Sequence, residues 1–314
     1  MIKVKNEEVR KHKDREMHEC GRRGRLEVGF VGEKTNHEEE SSSGYIYMEI
    51  PNYINSAFRS SRKNEVYFFI YDKYMRLYYT PGQTNDQVLT DLRQIGDDFV
   101  SLQSTTFEAY GIDCSFDTEG NKAYIFCDQT FAYIDYANDK ILSDTTTNQM
   151  FPVLKDTVFE HVIDSAFRSS RGKEVYLFKG NKYCCMDYDS KQLVEPIRNI
   201  TDGFPVLKGT IFEDGIDASF ASHNENQAYL FKGENYVLMN FTPGSTHHTL
   251  VDVVKPIVDG WSSFRGILPF NDTSVDLGPS SYILYYPSSP EEHDEEHDEE
   301  HDEEHDEHDE VSKK

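Results

Sequence analysis

Long apolar runs are missing from this chain. No stretch approaches the ~18–20 consecutive apolar residues that a membrane-crossing helix requires, so a membrane is not an expected partner. The opening "MIKVKNEEVRKHKDREMHECGRRGR" is charged throughout and has no apolar core of the kind a secretory leader carries, and none is expected. Cysteine is scarce. The five residues, Cys20, Cys114, Cys127, Cys184 and Cys185, form an odd set with one vicinal pair and no metal-type spacing. Reduced thiols in a cytosolic compartment are expected. The sequons Asn199-Ile-Thr and Asn271-Asp-Thr would matter only to a secreted chain. Basic charge is also short: 32 Lys and Arg stand against 57 Asp and Glu, a balance that repels a phosphate backbone and argues against nucleic acid as a partner. There is no phosphate-binding glycine loop, no HExxH and no serine in a nucleophile elbow, so no enzyme is expected.

The formal charge of −25 is unevenly spread. Residues 291–310, "EEHDEEHDEEHDEEHDEHDE", carry 15 acidic residues and no basic one, which leaves −10 for the rest of the chain. His293, His297, His301 and His305 recur every four residues there, a spacing that would align imidazoles for Zn, Ni or Cu on a helix. So many mutually repelling carboxylates favour a disordered, solubilising tail instead. At the other end, residues 1–40 hold ten basic and ten acidic residues with little apolar content and read as disordered.

What the chain does have is repetition. "YINSAFRSSRKNEVYFFIYDKY" from Tyr53, "GIDCSFDTEGNKAYIFCDQTF" from Gly111, "VIDSAFRSSRGKEVYLFKGNKY" from Val162 and "GIDASFASHNENQAYLFKGENY" from Gly215 are four versions of one unit. Their isoleucines, Ile54, Ile112, Ile163 and Ile216, are spaced by 58, 51 and 53 residues, the range of blade and solenoid repeats. In the third copy "VIDSAF" alternates like a short strand, "EVYLF" is β-branched and aromatic, "KGNK" is a tight hairpin and "YCCMDYD" a returning strand. "KQLVEPIRNI" reads as a weak outer strand, where Pro196 suits an edge. "DGFPVLKGTIFEDG" then carries the chain onward with a helical turn after Phe204-Pro205, and "DGWSSFRGILPFND" repeats it with Trp261 in place of Phe204. The expected fold is all-β: a four-bladed β-propeller over 51–272, with blades at about 52–108, 109–160, 161–213 and 214–272. Disordered extensions over 1–50 and 273–314 flank it. The innermost strands are expected at 54–58, 112–116, 163–167 and 216–220.

Four copies of an Ile-(Asp/Asn)-x-(Ala/Ser)-Phe motif, each followed by a (Val/Ala)-Tyr-x-Phe strand, resemble hemopexin repeats, and the wording is similar to the legume seed albumin-2 family from Tyr53 to Phe270. That resemblance implies a four-bladed propeller in the cytosol of seed cells, linked to storage or growth state. It also implies a cation in the central tunnel and a polyamine such as spermine, or haem, as ligand. Asn55 in place of Asp and Cys114 on a tunnel strand depart from the repeat.

The residues agree with this expectation. An innermost strand has a partner on one side only, and its inner edge needs acceptors and donors satisfied. If the backbone of Asp164 faces the axis, so does that of Ala166. Fourfold repetition then gives one oxygen ring from Asn55, Asp113, Asp164 and Asp217 and a second from Ala57, Ser115, Ala166 and Ser219. Four carbonyls and water suit a hard cation, Ca2+ or Na+. The small residues of the second ring also let the strands converge. Glu108, Glu160 and Glu213, just before the inner strands, are candidate polyamine acceptors at the mouth or else connector caps. "FRSSR", with Arg59, Arg62, Arg168 and Arg171, reads as a polar loop more than as a phosphate site, and His161, His223 and the pair His247-His248 read as surface residues. The rival to a small-ligand propeller is a structural or protein-interaction propeller in which the ion only stabilises the fold. A homodimer is compatible with either.

Overall fold

The computed structural model describes residues 52–270 and the two segments 25–30 and 44–49. Those two segments, β1 (Arg25–Phe30) and β2 (Gly44–Glu49), pair antiparallel from Arg25 opposite Glu49 to Phe30 opposite Gly44. They fall in the head for which disorder is expected from composition. The remainder of that expectation, and the whole 273–314 tail with its histidine series, lie outside the described residues.

Four sheets follow, each an antiparallel run in chain order. Blade one is β3 (Ser56–Arg59), β4 (Glu65–Ile70), β5 (Lys73–Tyr78) and β6 (Gln87–Gln94). Blade two is β7 (Cys114–Asp117), β8 (Lys122–Cys127), β9 (Thr130–Asp135) and β10 (Lys140–Thr146). Blade three is β11 (Ser165–Arg168), β12 (Glu174–Lys179), β13 (Lys182–Asp187) and β14 (Gln192–Asn199). Blade four is β15 (Ala218–Ala221), β16 (Gln227–Lys232), β17 (Asn235–Asn240) and an outer strand split into β18 (Thr249–Leu250) and β19 (Lys255–Pro256), both paired with β17. The four short strands β3, β7, β11 and β15 contact one another in a closed ring, each touching the one before and the one after. The protein is a four-bladed β-propeller.

Apolar residues alternate to both faces of the second and third strands because each blade packs against two neighbours. The result is four aromatic-rich interfaces. Phe58 and Tyr67 stack at 4.9 Å between blades one and two, and Phe167 and Phe241 meet at 5.1 Å between three and four. Cys184 lies in the interface with blade two and the adjacent Cys185 in that with blade four, as opposite faces of one strand require. Burial pushes the Cys184 thiol up to about 12, which leaves it a core residue and not a nucleophile.

Each outer strand ends in a short helix and a 3-10 turn with a buried aromatic between them. Blade three uses Ile200–Gly203, Phe204 and Pro205–Leu207; blade four uses Ile257–Gly260, Trp261 and Ser262–Phe264. The Trp261 ring lies edge-on at 5.2 Å from Phe68 and 5.1 Å from Tyr229, so the swap for Phe fills the joint between first and last blades. Gly203 and Gly260 admit no side chain: a Cβ would lie 1.9 and 1.6 Å from the hydroxyls of Tyr183 and Tyr236. The ring closes where Asn52 bridges Phe270, Phe270 N–H donating to Asn52 O at 2.8 Å and Asn52 N–H to Phe270 O at 3.3 Å.

Candidate tunnel site

The innermost strands begin two residues later than the alternation suggests and end one residue later, at 56–59, 114–117, 165–168 and 218–221. The cause lies in the two residues that precede each. Ile54, Ile112, Ile163 and Ile216 plug the four interfaces one by one. Asn55, Asp113, Asp164 and Asp217 turn their amides into the sheet, donating to Phe69, Phe126, Phe178 and Phe231 O at 2.8–3.0 Å. Their side chains reach the following hairpin: Asn55 Oδ1 accepts from Tyr71 N–H, Asp113 Oδ2 from Asp128 N–H, Asp164 Oδ2 from Gly180 N–H and Asp217 Oδ2 from Gly233 N–H, all at 2.7–2.8 Å. Those four turn residues have φ between 49° and 56°, a left-handed conformation that the bond helps hold. The repeated Asp is therefore a hairpin cap as well as a tunnel-end residue. Lys179 Nζ also pairs with Asp164 Oδ1 at 2.8 Å.

The second ring follows from the register. Each inner hairpin closes with Ser60, Thr118, Ser169 or Ser222 N–H donating to Glu65, Lys122, Glu174 or Gln227 O. The ladder alternates from there, so Ser56 and Phe58, Cys114 and Phe116, Ser165 and Phe167, and Ala218 and Phe220 bond to the second strand. The backbone of Ala57, Ser115, Ala166 and Ser219 is left on the opposite edge, which faces the other inner strands. All four residues are 1–2 % exposed.

Side chains across the ring sort by polarity. Ser56 Oγ meets Ser115 Oγ and Ser165 Oγ meets Ser219 Oγ, both at 2.5 Å and buried. At the two other junctions Cys114 shares an apolar cluster with Ala166, and Ala57 shares one with Ala218. Hydroxyl meets hydroxyl and apolar meets apolar, which reduces the fourfold ring to an approximate twofold one.

Glu108, Glu160 and Glu213 have local partners. Their Oε2 atoms accept from Ser104, Asp156 and Gly209 N–H at 2.6, 3.1 and 2.7 Å, four residues back in each connector. Those three turn residues have φ of 58–75°. Among the described residues no three His, Cys, Asp or Glu side chains converge as a metal site, so a tunnel cation would rest on backbone oxygens.

Two residue sets, read in the sequence as a polar loop and as surface histidines, make long-range contacts. Arg59 and Arg168 end β3 and β11 on opposite sides of the tunnel, and both approach Asp117 at the end of β7: Arg59 Nε at 2.9 Å and Arg168 Nη1 at 3.8 Å. Burial works against the Arg59 charge, but Asp117 more than offsets it and holds its pKa above the usual arginine value. Recurrence of "FRSSR" in alternate blades was the available signal. The histidines divide: His161 and His247 are exposed, but His248 is buried and stacks on Phe204 at 4.6 Å. His248 Nε2 donates to Gly203 O at 3.0 Å, and Thr242 N–H donates to its Nδ1 at 3.2 Å. His223 is half-buried, with Nε2 on Ser60 O at 3.0 Å and Nδ1 on Tyr79 Oη at 2.9 Å, across the closing seam.

Four antiparallel blades around a backbone-lined tunnel define a hemopexin-type propeller, and the hemopexin family model matches residues 163–209, blade three. The chain belongs to the albumin-2 family of legume seed proteins. It is 49% identical to Albumin-2 of Pisum sativum over 226 residues, 70% of this chain and 98% of that one. The solved 2S albumin seed protein from Dolichos is 66% identical, with a TM-score of 0.68, covering 69% of this chain and all of that one. A plant lectin from Cicer arietinum, described as having two metal-binding sites, is 55% identical with a TM-score of 0.68 over 70% of this chain and all of its own. No helix among the described residues is long and apolar enough to cross a membrane.

Proposed function

We propose that this propeller is a non-enzymatic binding protein whose tunnel takes a hard cation, Ca2+ or Na+, on inner-strand carbonyls, with spermine or a related polyamine as organic ligand. The observation that carries it is the ring at Ala57, Ser115, Ala166 and Ser219, where four buried backbone edges without a ladder partner face one another. Buried carbonyls left without a donor are costly, and a cation with its waters meets that need. The two metal sites named for the Cicer arietinum lectin support the same reading.

A polyamine offers compact ammonium donors to the same oxygens. Arg59 and Arg168 stand where the inner strands end, so it would enter from the other mouth, beside Asp113, Asp164 and Asp217. Haem has less support: both ring nitrogens of His223 and of His248 are engaged, and only exposed His161 and His247 remain among the described histidines. Cytosolic residence and a storage role complete the proposal by kinship alone.

Equilibrium dialysis of the full chain against spermine, at zero and saturating Ca2+, tests it. Shared oxygens require that Ca2+ weaken spermine binding. Spermine binding of equal strength at saturating Ca2+ refutes the shared tunnel. Calcium binding with no spermine binding leaves the ion as a staple of the fold, the rival reading.

A further inference from the structure

The last residue of each inner strand occupies the same position around the axis: Arg59, Asp117, Arg168 and Ala221. Three blades place a long or charged side chain there and blade four places a methyl group. The missing volume is real. A cavity of about 270 Å³ opens at that point, lined by Arg59, Arg168, Ala221, Ser222, His223 and Asn224 among others.

Its charge is unbalanced on the buried side. The Arg59 and Arg168 side chains are 25% and 17% exposed, and the 8%-exposed Asp117 is the one buried carboxylate between them. The second partner of Arg168, Glu119, bonds its Nη2 at 2.5 Å but is 54% exposed, and Glu225 on the rim is exposed as well. Each guanidinium has one close carboxylate, Asp117 for Arg59 and Glu119 for Arg168, but only Asp117 is buried, so the Arg168 charge is balanced from the solvent side. Burial and the neighbouring Arg59 charge lower the pKa of His223, although its bond to Ser60 O works the other way. Arg168 Nε is buried with no hydrogen-bond partner among the described residues. Arg76 and Arg198 Nε are in the same state away from the cavity, so what marks this site is the pair of guanidiniums that line it, the side chains best suited to an anionic oxygen. Arg59 is braced for such a role, its Nη1 donating to Ser222 O at 2.8 Å.

We propose that this pocket binds a small oxyanion, a carboxylate or phosphate group, between Arg59 and Arg168. Blade four's Ala221 is what makes room for it. The opposite mouth carries Asp113, Asp164 and Asp217, so the two ends of the tunnel select ligands of opposite sign. The oxyanion site does not depend on the tunnel cation.

The test is isothermal titration of the full chain, in EDTA, with inorganic phosphate and separately with malonate, sodium chloride holding the ionic strength constant. Saturable binding is expected for one or both: phosphate alone identifies a phosphate-ester site, malonate alone a carboxylate site, and both a general oxyanion site. Ala221→Leu, which fills the cavity, and Arg168→Met, which removes one of the two guanidiniums lining it, should each weaken binding at least tenfold. Melting temperatures of both variants establish that they fold; should either fail, the other still decides. Absence of saturable heat with both anions, equal heat from chloride alone, or full binding in a folded variant overturns the proposal.

Discussion

The buried Ser165–Ser219 pair predicts a double-mutant result that the protein's own repeats calibrate. Its hydroxyls touch at 2.5 Å across the blade three–four junction, and both residues are 1–2 % exposed. Ser165→Ala removes one partner and leaves the Ser219 hydroxyl buried. The cost is about 1–3 kcal/mol, because the lost hydrogen bond is modest but the stranded group keeps its desolvation penalty. Ser219→Ala should cost about the same for the mirror reason. The double substitution recreates the Ala57–Ala218 contact already present at the junction of blades four and one. Removing both hydroxyls together should therefore cost less than about 1 kcal/mol, giving a coupling energy of at least about 1 kcal/mol. Urea denaturation followed by tryptophan fluorescence reads all four states, since the single Trp261 lies in the core. A domain of this size moves by roughly 2–4 °C in melting temperature per kcal/mol, which gives an independent check. Additive losses, with the double variant as unstable as the two singles combined, would refute the polarity-matching argument.

Acid should loosen the seams before it does anything else. Burial is the main cause that lowers the pKa of both His223 and His248 below the ordinary value of about 6.5, so the unfolded chain takes up the proton first as pH falls. Stability is then full above about pH 6.5 and declines below it until the folded-state values are passed, and His248→Gln should flatten that slope in a melting-temperature profile. Asp164→Asn should retain any tunnel ion and cost less than about 1 kcal/mol, because Asn55 already caps its hairpin in this way and the Lys179 pairing it gives up is part-exposed. Asp164→Ala should cost about 1 kcal/mol more than Asn in urea titrations by removing the acceptor that holds the exposed Gly180 turn; equal losses for Asn and Ala would make the ion pair, not the cap, the relevant interaction.

The blade count, the strand order and the closing role of Trp261 were legible in the sequence because each is written several times. Repetition separates a repeated packing rule from the accidents of one segment, so four copies of Ile-Asp-x-Ala-Phe define an innermost strand with little ambiguity. Its start was misplaced by two residues because alternation alone cannot distinguish a strand residue from a cap. Asp113, Asp164 and Asp217 continue the alternation yet spend both amide and carboxylate on holding the blade's own turn. The recurring Thr-x-Phe-Glu of the connectors carried a readable signal: Thr157 and Thr210 hydroxyls bond Leu154 and Leu207 O, and Glu160 and Glu213 close the same turns. What no single repeat could show is the convergence of Arg59, Asp117 and Arg168, which lie 58 and 51 residues apart and meet only because the ring closes. His248 was misread as a surface residue for a like reason, as its partner Gly203 belongs to the preceding blade.

The departures from repetition follow one rule along the axis. Where inner-strand side chains face one another, Ser, Cys and Ala alternate so that no buried hydroxyl meets an apolar partner. At the strand ends the same position reads Arg, Asp, Arg, Ala around the ring. Both patterns break fourfold symmetry, but with different consequences. The first satisfies every side chain locally and leaves the backbone edges to the tunnel. The second leaves a cavity between two guanidiniums that nothing in the blades needs for packing: Phe58, Phe116, Phe167 and Phe220 fill the interfaces without it. A fold that required only four equal blades would have no use for a guanidinium in two of them and a methyl group in the fourth. Packing and polarity matching account for what the repeats share and for the Ser, Cys and Ala pattern, and the proposed oxyanion site would account for Arg, Asp, Arg and Ala at the strand ends.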